Sequence, residues 1–113
     1  MSRDWPLFLR DMLEAARKVA RFTRDRDVQG FVADEMAYDA TLRNLEVLGE
    51  AAKSIPEEVR RRHPAVDWQG IAGLRDVLAH AYFTLDDPTL LKIAQTDVPP
   101  LIVQLEEIER ELD

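Results

Sequence analysis

The segment from Gly73 to Tyr82, GLRDVLAHAY, places several chemically capable side chains within about two turns of a predicted helix. The guanidinium of Arg75 is always charged, and its forked donors match the oxygens of a phosphate. Histidine, here His80, is the side chain best suited to proton transfer near neutral pH. Asp76, one turn earlier, is placed to orient the imidazole and to favour its charged form. These residue types favour a phosphate-binding site with a proton-transfer group beside it.

A helical projection of this segment gives each of these residues an expected position. On a continuous helix from Trp68 to about Tyr82, Arg75 falls in the middle of the apolar face. A charge there is costly unless it has a partner or a function. Asp76 and His80 share one flank of that face with Gly73, where the absence of a side chain allows a second helix or an RNA backbone to approach closely.

The sequence is also consistent with purely structural roles for the same residues. The acid and the histidine can form a plain exposed i,i+4 pair, which stabilises a helix only slightly. Arg75 can extend past the apolar stripe to solvent, or pair with an acid of the preceding long helix such as Glu46 or Glu50. Tyr82, at the end of the predicted helix, can be a half-buried core tyrosine.

Two long amphipathic helices precede the motif. The first begins at the capping residue Asp4, carries Pro6 in its opening turn, and ends before a break at Gly30. The second runs from about Ala33 to Ser54, and its apolar stripe is typical of a helix packed lengthwise in a bundle. The members of that stripe are Tyr38, Thr41, Leu45, Leu48, Ala52 and Ile55.

The remaining turn signals predict short helices around the motif helix and a last long one. Ser54 to Glu57 has the pattern of a capping box for a short helix, and Asp67 caps the motif helix. Asp87 with Pro88 opens another short helix, and Asp97 opens the last one. The buried stripe expected there consists of Leu101, Leu105, Ile108 and Leu112. No segment alternates with period two, so we expect one all-α domain over 1–113, with four core helices and short extra ones.

Charge and composition limit the possible functions. The 113 residues carry a net charge of -7, which disfavours broad binding of nucleic acid through a large basic face. A small basic site remains possible, and Arg60, Arg61 and Arg62 supply one if the bundle brings them beside the motif helix. The alternative is that this cluster is a solvated helix end.

Neither a metal nor another cofactor is expected. The chain has no cysteine, and its two histidines and scattered acids lack the spacing of metal ligands. No apolar run is long enough for a membrane span, and the N-terminus lacks a signal-peptide core, so we expect a cytoplasmic protein.

The motif and its surroundings resemble the HEPN superfamily and, within it, the HepT-like toxins of HEPN/MNT toxin–antitoxin systems. The shared pattern is an Arg, four residues, a His, one residue and a Tyr, here Arg75, His80 and Tyr82. Upstream, LEVLGEAAKSIP (45–56) resembles the second-helix signature of the family. DWQGIAGLRDVLAHAYFTLD (67–86) follows the family's tryptophan, isoleucine, motif and trailing acid in order. The similarity extends over most of the chain.

This resemblance implies a metal-independent endoribonuclease toxin that dimerises and brings two motifs into one cleft. It implies that Arg75 holds the scissile phosphate and that His80 is the acid or base that assists attack by the RNA 2′-hydroxyl. Asp76 occupies the polar position after the Arg, where close relatives often carry Asn. Tyr82 is then the residue to which an MNT-type nucleotidyltransferase antitoxin attaches AMP, which silences the toxin.

A binding module is the alternative from another class. Such a chain would be a non-catalytic HEPN bundle that associates with a nucleotidyltransferase or binds a nucleotide. The joint presence of Arg75, His80 and Tyr82 favours the enzyme, because an interaction module has no need for the histidine.

Overall fold

A computed structural model describes residues 4–81 and 86–112 of the chain, with positions 77 and 79–81 described by their backbone alone. This part of the chain is helical and contains no strand, which confirms the all-α prediction. The helices are α1 (Trp5–Thr23), α2 (Val28–Ala33), α3 (Glu35–Lys53), α4 (Glu57–Arg62), α5 (Trp68–Ala72), α6 (Leu74–Ala81), α7 (Asp87–Lys92) and α8 (Val98–Arg110). A π-helical turn, Ile93–Asp97, joins α7 to α8. None of the described helices is long and apolar enough to cross a membrane.

The core lies between α1, α3 and α8, with α5 and α6 packed along α3. The stripe expected on the second long helix is confirmed, because Thr41, Leu45, Leu48 and Ala52 are all buried on α3. Side chains from α1 and α8 complete this layer: Leu9, Met12, Leu13, Val19, Leu101, Leu105 and Ile108. Burial of this continuous apolar surface is the main force that holds the bundle together.

Gly49 sets the distance between α3 and the α5–α6 segment. It is buried, and a Cβ added to it would lie 3.0 Å from the carbonyl oxygen of Ile71 and 3.4 Å from the backbone nitrogen of Arg75. The two backbones therefore touch at a point where any side chain would separate them. Because Glu50 follows Gly49, this contact brings Glu50 next to the first turn of α6.

The motif helix is not continuous, so the prediction of one helix from Trp68 to Tyr82 is wrong. α5 ends at Ala72, and Gly73 forms a single turn residue before α6 begins. Gly73 keeps right-handed helical dihedral angles and its amide still donates to the carbonyl of Gln69 at 3.0 Å, so the interruption is confined to one residue. Glycine has low helix propensity and no side chain to favour the helical state, which explains why the break occurs there.

Three other predictions at helix ends are corrected by the structure. Gly30 lies inside α2, where its amide donates to Asp27 Oδ1 at 2.7 Å, so it is not a helix-breaking position. The capping box at Ser54 does not form, because Pro56 is the N-cap of α4 and makes no side-chain capping bond. Leu112 follows the end of α8 and is 43% exposed, so it does not extend the buried stripe.

Helix capping by aspartate is correctly predicted at Asp67, whose carboxylate accepts from the amide of Gly70 at 3.0 Å. Asp4 and Asp97 precede α1 and α8 as predicted, but neither makes a side-chain capping bond. α7 begins at Asp87, as predicted, and is capped by the preceding residue Asp86. The hydroxyl of Tyr38 donates to Asp87 at 2.9 Å and so ties α7 to α3.

Asp34 makes the stability of the bundle depend on pH. Its carboxylate accepts from the amide of Ala37 at 3.1 Å and pairs with Arg26 Nη2 at 2.8 Å. The amide of Ala37, followed by the Arg26 hydrogen bond, holds the pKa of Asp34 below its ordinary value. A carboxyl whose pKa is lower when folded stabilises the protein above its unfolded pKa, and this stabilisation is lost as the pH falls through the folded pKa.

We therefore expect Asp34→Asn to reduce the loss of stability that acid causes. In wild type the free energy of unfolding should fall as the pH drops below about 4, and this slope should be shallower in the variant. Urea unfolding between neutral and acidic pH measures the effect, with Asp39→Asn, an exposed acid of the same helix, as the control. An unchanged slope in Asp34→Asn would contradict the assignment.

Candidate active site

Arg75 lies in the first turn of α6, where its side chain is 56% exposed and pairs with Glu50. Nη1 donates to Glu50 Oε1 at 2.6 Å. The expectation that Arg75 lies in the middle of the apolar face is not met, because its side chain is exposed and extends to Glu50 on α3. The alternative of a pair with an acid of the preceding long helix is confirmed, and Glu50 rather than Glu46 is the partner.

Glu50 also approaches a second cation. Lys53, one turn later on α3, has its Nζ 3.9 Å from the same Oε1 atom. Two positive groups thus share one carboxylate, and the three side chains are all about half exposed. These three side chains together carry one net positive charge, which suits binding of a phosphate. Lys53 was missed by the sequence analysis, although its i,i+3 spacing from Glu50 is a readable signal.

The other motif residues are placed only in part. Asp76 is exposed in the first turn of α6, and the backbone of His80 lies one turn later in the same helix. The side chain of His80 lies outside the described part of the structure, so its interaction with Asp76 stays a prediction. Tyr82 also lies outside the described residues.

The cluster of Arg60, Arg61 and Arg62 forms the last turn of α4. Arg60 is half-buried, whereas the other two are exposed, and Arg61 pairs with Glu57 of its own helix at 3.4 Å. Among the described residues, no acidic side chain forms ion pairs with both this cluster and Arg75. Its contact with RNA therefore stays a prediction.

His63 fixes the end of α4 instead of contributing to the motif. It is the C-cap of α4, and its Nε2 lies 2.9 Å from Glu111 Oε2, beyond the end of α8. Its carbonyl accepts from Trp68 Nε1 at 3.0 Å. Over 4–81 and 86–112, no group of three or more histidine or acidic residues is arranged to hold a metal ion.

A cleft of about 410 Å³ opens beside the motif segment, between α5–α6 and the start of α8. Its walls include Ile71 and Leu74 on one side and Pro100 and Leu101 on the other. Leu74 is only half-buried, although it directly precedes Arg75. The cleft is thus lined mainly by apolar side chains of the motif segment and of α8.

Comparisons with known proteins identify relatives across nearly the whole chain. Residues 12–108 match the family model described as Ribonuclease HepT-like. A candidate RNase of Methanocaldococcus jannaschii is 40% identical over 104 residues, covering 92% of this chain and 95% of that protein. A candidate ribonuclease HepT of Thermococcus cleftensis is 36% identical over 110 residues, covering 97% and 100%. A candidate RNase of Caldanaerobacter subterraneus is 33% identical over 101 residues, covering 89% and 90%. No solved structure matches the chain at a significant level.

Proposed function

This chain belongs to the HepT-like ribonuclease family and is an endoribonuclease, and we propose that it cleaves RNA without a metal ion through Arg75 and His80. The observation that carries the proposal is the half-exposed guanidinium of Arg75, oriented by Glu50 and supplemented by Lys53. A positive group of this kind provides a local phosphate site on a chain whose overall charge is negative.

In the proposed reaction, Arg75 binds the nonbridging oxygens of the scissile phosphate. His80 takes the proton of the ribose 2′-hydroxyl as its oxygen forms a bond to phosphorus. The bond from phosphorus to the 5′ oxygen breaks, and this oxygen takes up a proton from the imidazolium of a second His80 in a dimer cleft. The products are a 2′,3′-cyclic phosphate and a 5′-hydroxyl end. Arg75 stabilises the charge that develops on the phosphate oxygens.

Cleavage of RNA in the presence of EDTA tests this function directly. We expect the purified chain to cut total cellular RNA in EDTA and to leave cyclic phosphate ends. The matched control is an oligonucleotide that carries 2′-O-methyl groups, which should stay intact because the nucleophile is blocked. Cleavage of the methylated RNA, or complete loss of cleavage in EDTA, would contradict the mechanism.

The proposed biological role is that of a toxin controlled by an MNT-type nucleotidyltransferase antitoxin in the cytoplasm. Tyr82 follows His80 by two residues, so AMP attached to its phenol would bring a phosphate close to the motif. The added negative charge would compete with RNA for Arg75. The role therefore depends on modification of this tyrosine.

Tyr82→Phe is expected to escape this control. Incubation with the nucleotidyltransferase and ATP should add AMP to wild type and abolish its RNA cleavage, whereas the variant should gain no mass and remain active. Mass spectrometry and the RNA assay measure the two effects. Equal silencing of wild type and variant would show that another residue is the target.

A homodimer is part of the proposal because the mechanism uses two motifs. The apolar cleft lined by Ile71 and Leu74 of the motif segment offers surface for a second copy.

A further inference from the structure

The carboxylate of Glu50 restricts the most important side chain of the proposed site. Gly49 allows α3 to touch the backbone of Arg75, and this contact leaves Glu50 directly beside the guanidinium. The resulting hydrogen bond from Nη1 to Oε1 is 2.6 Å long. An arginine side chain is flexible, and a charge-assisted bond of this length favours one of its many orientations.

We propose that Glu50 is the positioning residue for Arg75: it orients the guanidinium before RNA binds and then yields it to the scissile phosphate. This inference rests on the proposed ribonuclease function, but it concerns a residue that takes no part in the proton transfers described above. Glu50 acts through Arg75 and does not contact the reacting atoms.

Lys53 makes this exchange possible. Its Nζ lies 3.9 Å from the oxygen that accepts from Arg75, so Glu50 has a second cation on its own helix. A guanidinium has five N–H donors, and the bond to Glu50 is made from Nη1, which leaves other donors for phosphate oxygens. When a phosphate binds, the carboxylate can move its ionic contact to Lys53, and this reduces its repulsion of the phosphate.

Removal of the Glu50 carboxylate has two effects with different signatures. Loss of orientation lowers kcat, since a misplacement of about 1 Å can cost about 100-fold. Loss of a negative charge beside the phosphate leaves KM unchanged or lowers it. A purely structural role would reduce the amount of folded protein and leave both constants of the folded fraction unchanged.

A second arginine–glutamate pair in the same molecule provides a matched control. Arg17 Nη2 donates to Glu106 Oε2 at 2.9 Å, and these side chains are 49% and 38% exposed. The Arg75–Glu50 pair has comparable exposure, at 56% and 45%. The two pairs should therefore contribute similarly to stability, and only one of them should affect RNA cleavage.

The experiment measures kcat and KM on an RNA oligonucleotide, and binding of inorganic phosphate by NMR titration, for the full chain and its variants. We expect Glu50→Ala to lower kcat about 10- to 100-fold without raising KM, and to bind phosphate more tightly. Glu50→Gln should recover much of kcat, because its amide oxygen still accepts from Nη1. Glu106→Ala should match wild type in all three measurements.

The possible results separate this inference from the ribonuclease proposal. Wild-type kcat and phosphate affinity in Glu50→Ala would overturn the inference while RNA cleavage by wild type stands. A raised KM with unchanged kcat would also overturn it. If wild type does not cleave RNA, the proposed function fails, and the phosphate titration alone then tests whether Glu50 acts on Arg75. Tighter binding in Glu50→Ala that disappears when Arg75→Ala is added would then support positioning, and unchanged affinity would refute it.

Discussion

Arg75→Ala is expected to lower RNA cleavage by about 100-fold or more while the chain stays folded. The loss arises because the variant removes the group that binds the scissile phosphate and stabilises its developing charge. The effect on stability should be small, since exposed ion pairs contribute about 1 kcal/mol or less and the side chain is 56% exposed. RNA cleavage at saturating substrate and urea unfolding measure the two effects.

Two further variants make this result specific. Arg17→Ala removes the other described arginine–glutamate pair of similar exposure and should retain full activity. Arg75→Lys keeps the charge but loses the forked donors, so we expect it to restore only part of the activity. If Arg75→Ala unfolds the protein instead, the pair with Glu50 is a structural element and the phosphate role is wrong.

His80→Ala should reduce cleavage in EDTA by about 100- to 10,000-fold, because a general acid or base typically contributes an acceleration of this size. Binding of 2′-O-methyl RNA should persist, because Arg75 and Lys53 remain. Comparison of cleavage with binding therefore separates proton transfer from substrate recognition. Cleavage at the wild-type rate by His80→Ala would exclude the proposed mechanism.

The same variant provides a test of the dimer. Light scattering at micromolar concentration should give a mass of twice 13.0 kDa for both wild type and His80→Ala. The loss of activity then has a chemical cause and does not result from dissociation. A monomeric wild type that still cleaves RNA would show that one motif is sufficient.

The fold was largely predictable because its determinants are local and periodic. The stripe on α3, the cap at Asp67 and the all-α class follow from spacing that reports directly on burial and hydrogen bonding. Arg75 was expected either to reach solvent or to pair with an acid of the preceding helix such as Glu46 or Glu50, and the choice among these was not predictable. It depends on how α5–α6 is aligned along α3, which no spacing within one helix encodes.

The exposure of Arg75 was not decided by the sequence, which allowed either a place on the apolar face or a side chain extended to solvent or to an acid. The projection assigned about 100° to every residue from Trp68 onward, and this holds only in an uninterrupted helix. A projection also gives only the direction in which a side chain leaves its helix, whereas the exposure of Arg75 depends on its pairing with Glu50 of α3. Lys53 was overlooked for a related reason, because its importance arises from a carboxylate shared between two helices.

The close contact at Gly49 sets the spacing between α3 and the motif segment, and no reactive side chain takes part in it. The distance from the guanidinium of Arg75 to α3 depends on two backbones that meet at this residue. A methyl group added at Gly49 would press on the carbonyl oxygen of Ile71, 3.0 Å away, and push α3 and the motif segment apart by a few tenths of an ångström. How far Arg75 can reach is thus set by the spacing of two backbones inside the bundle.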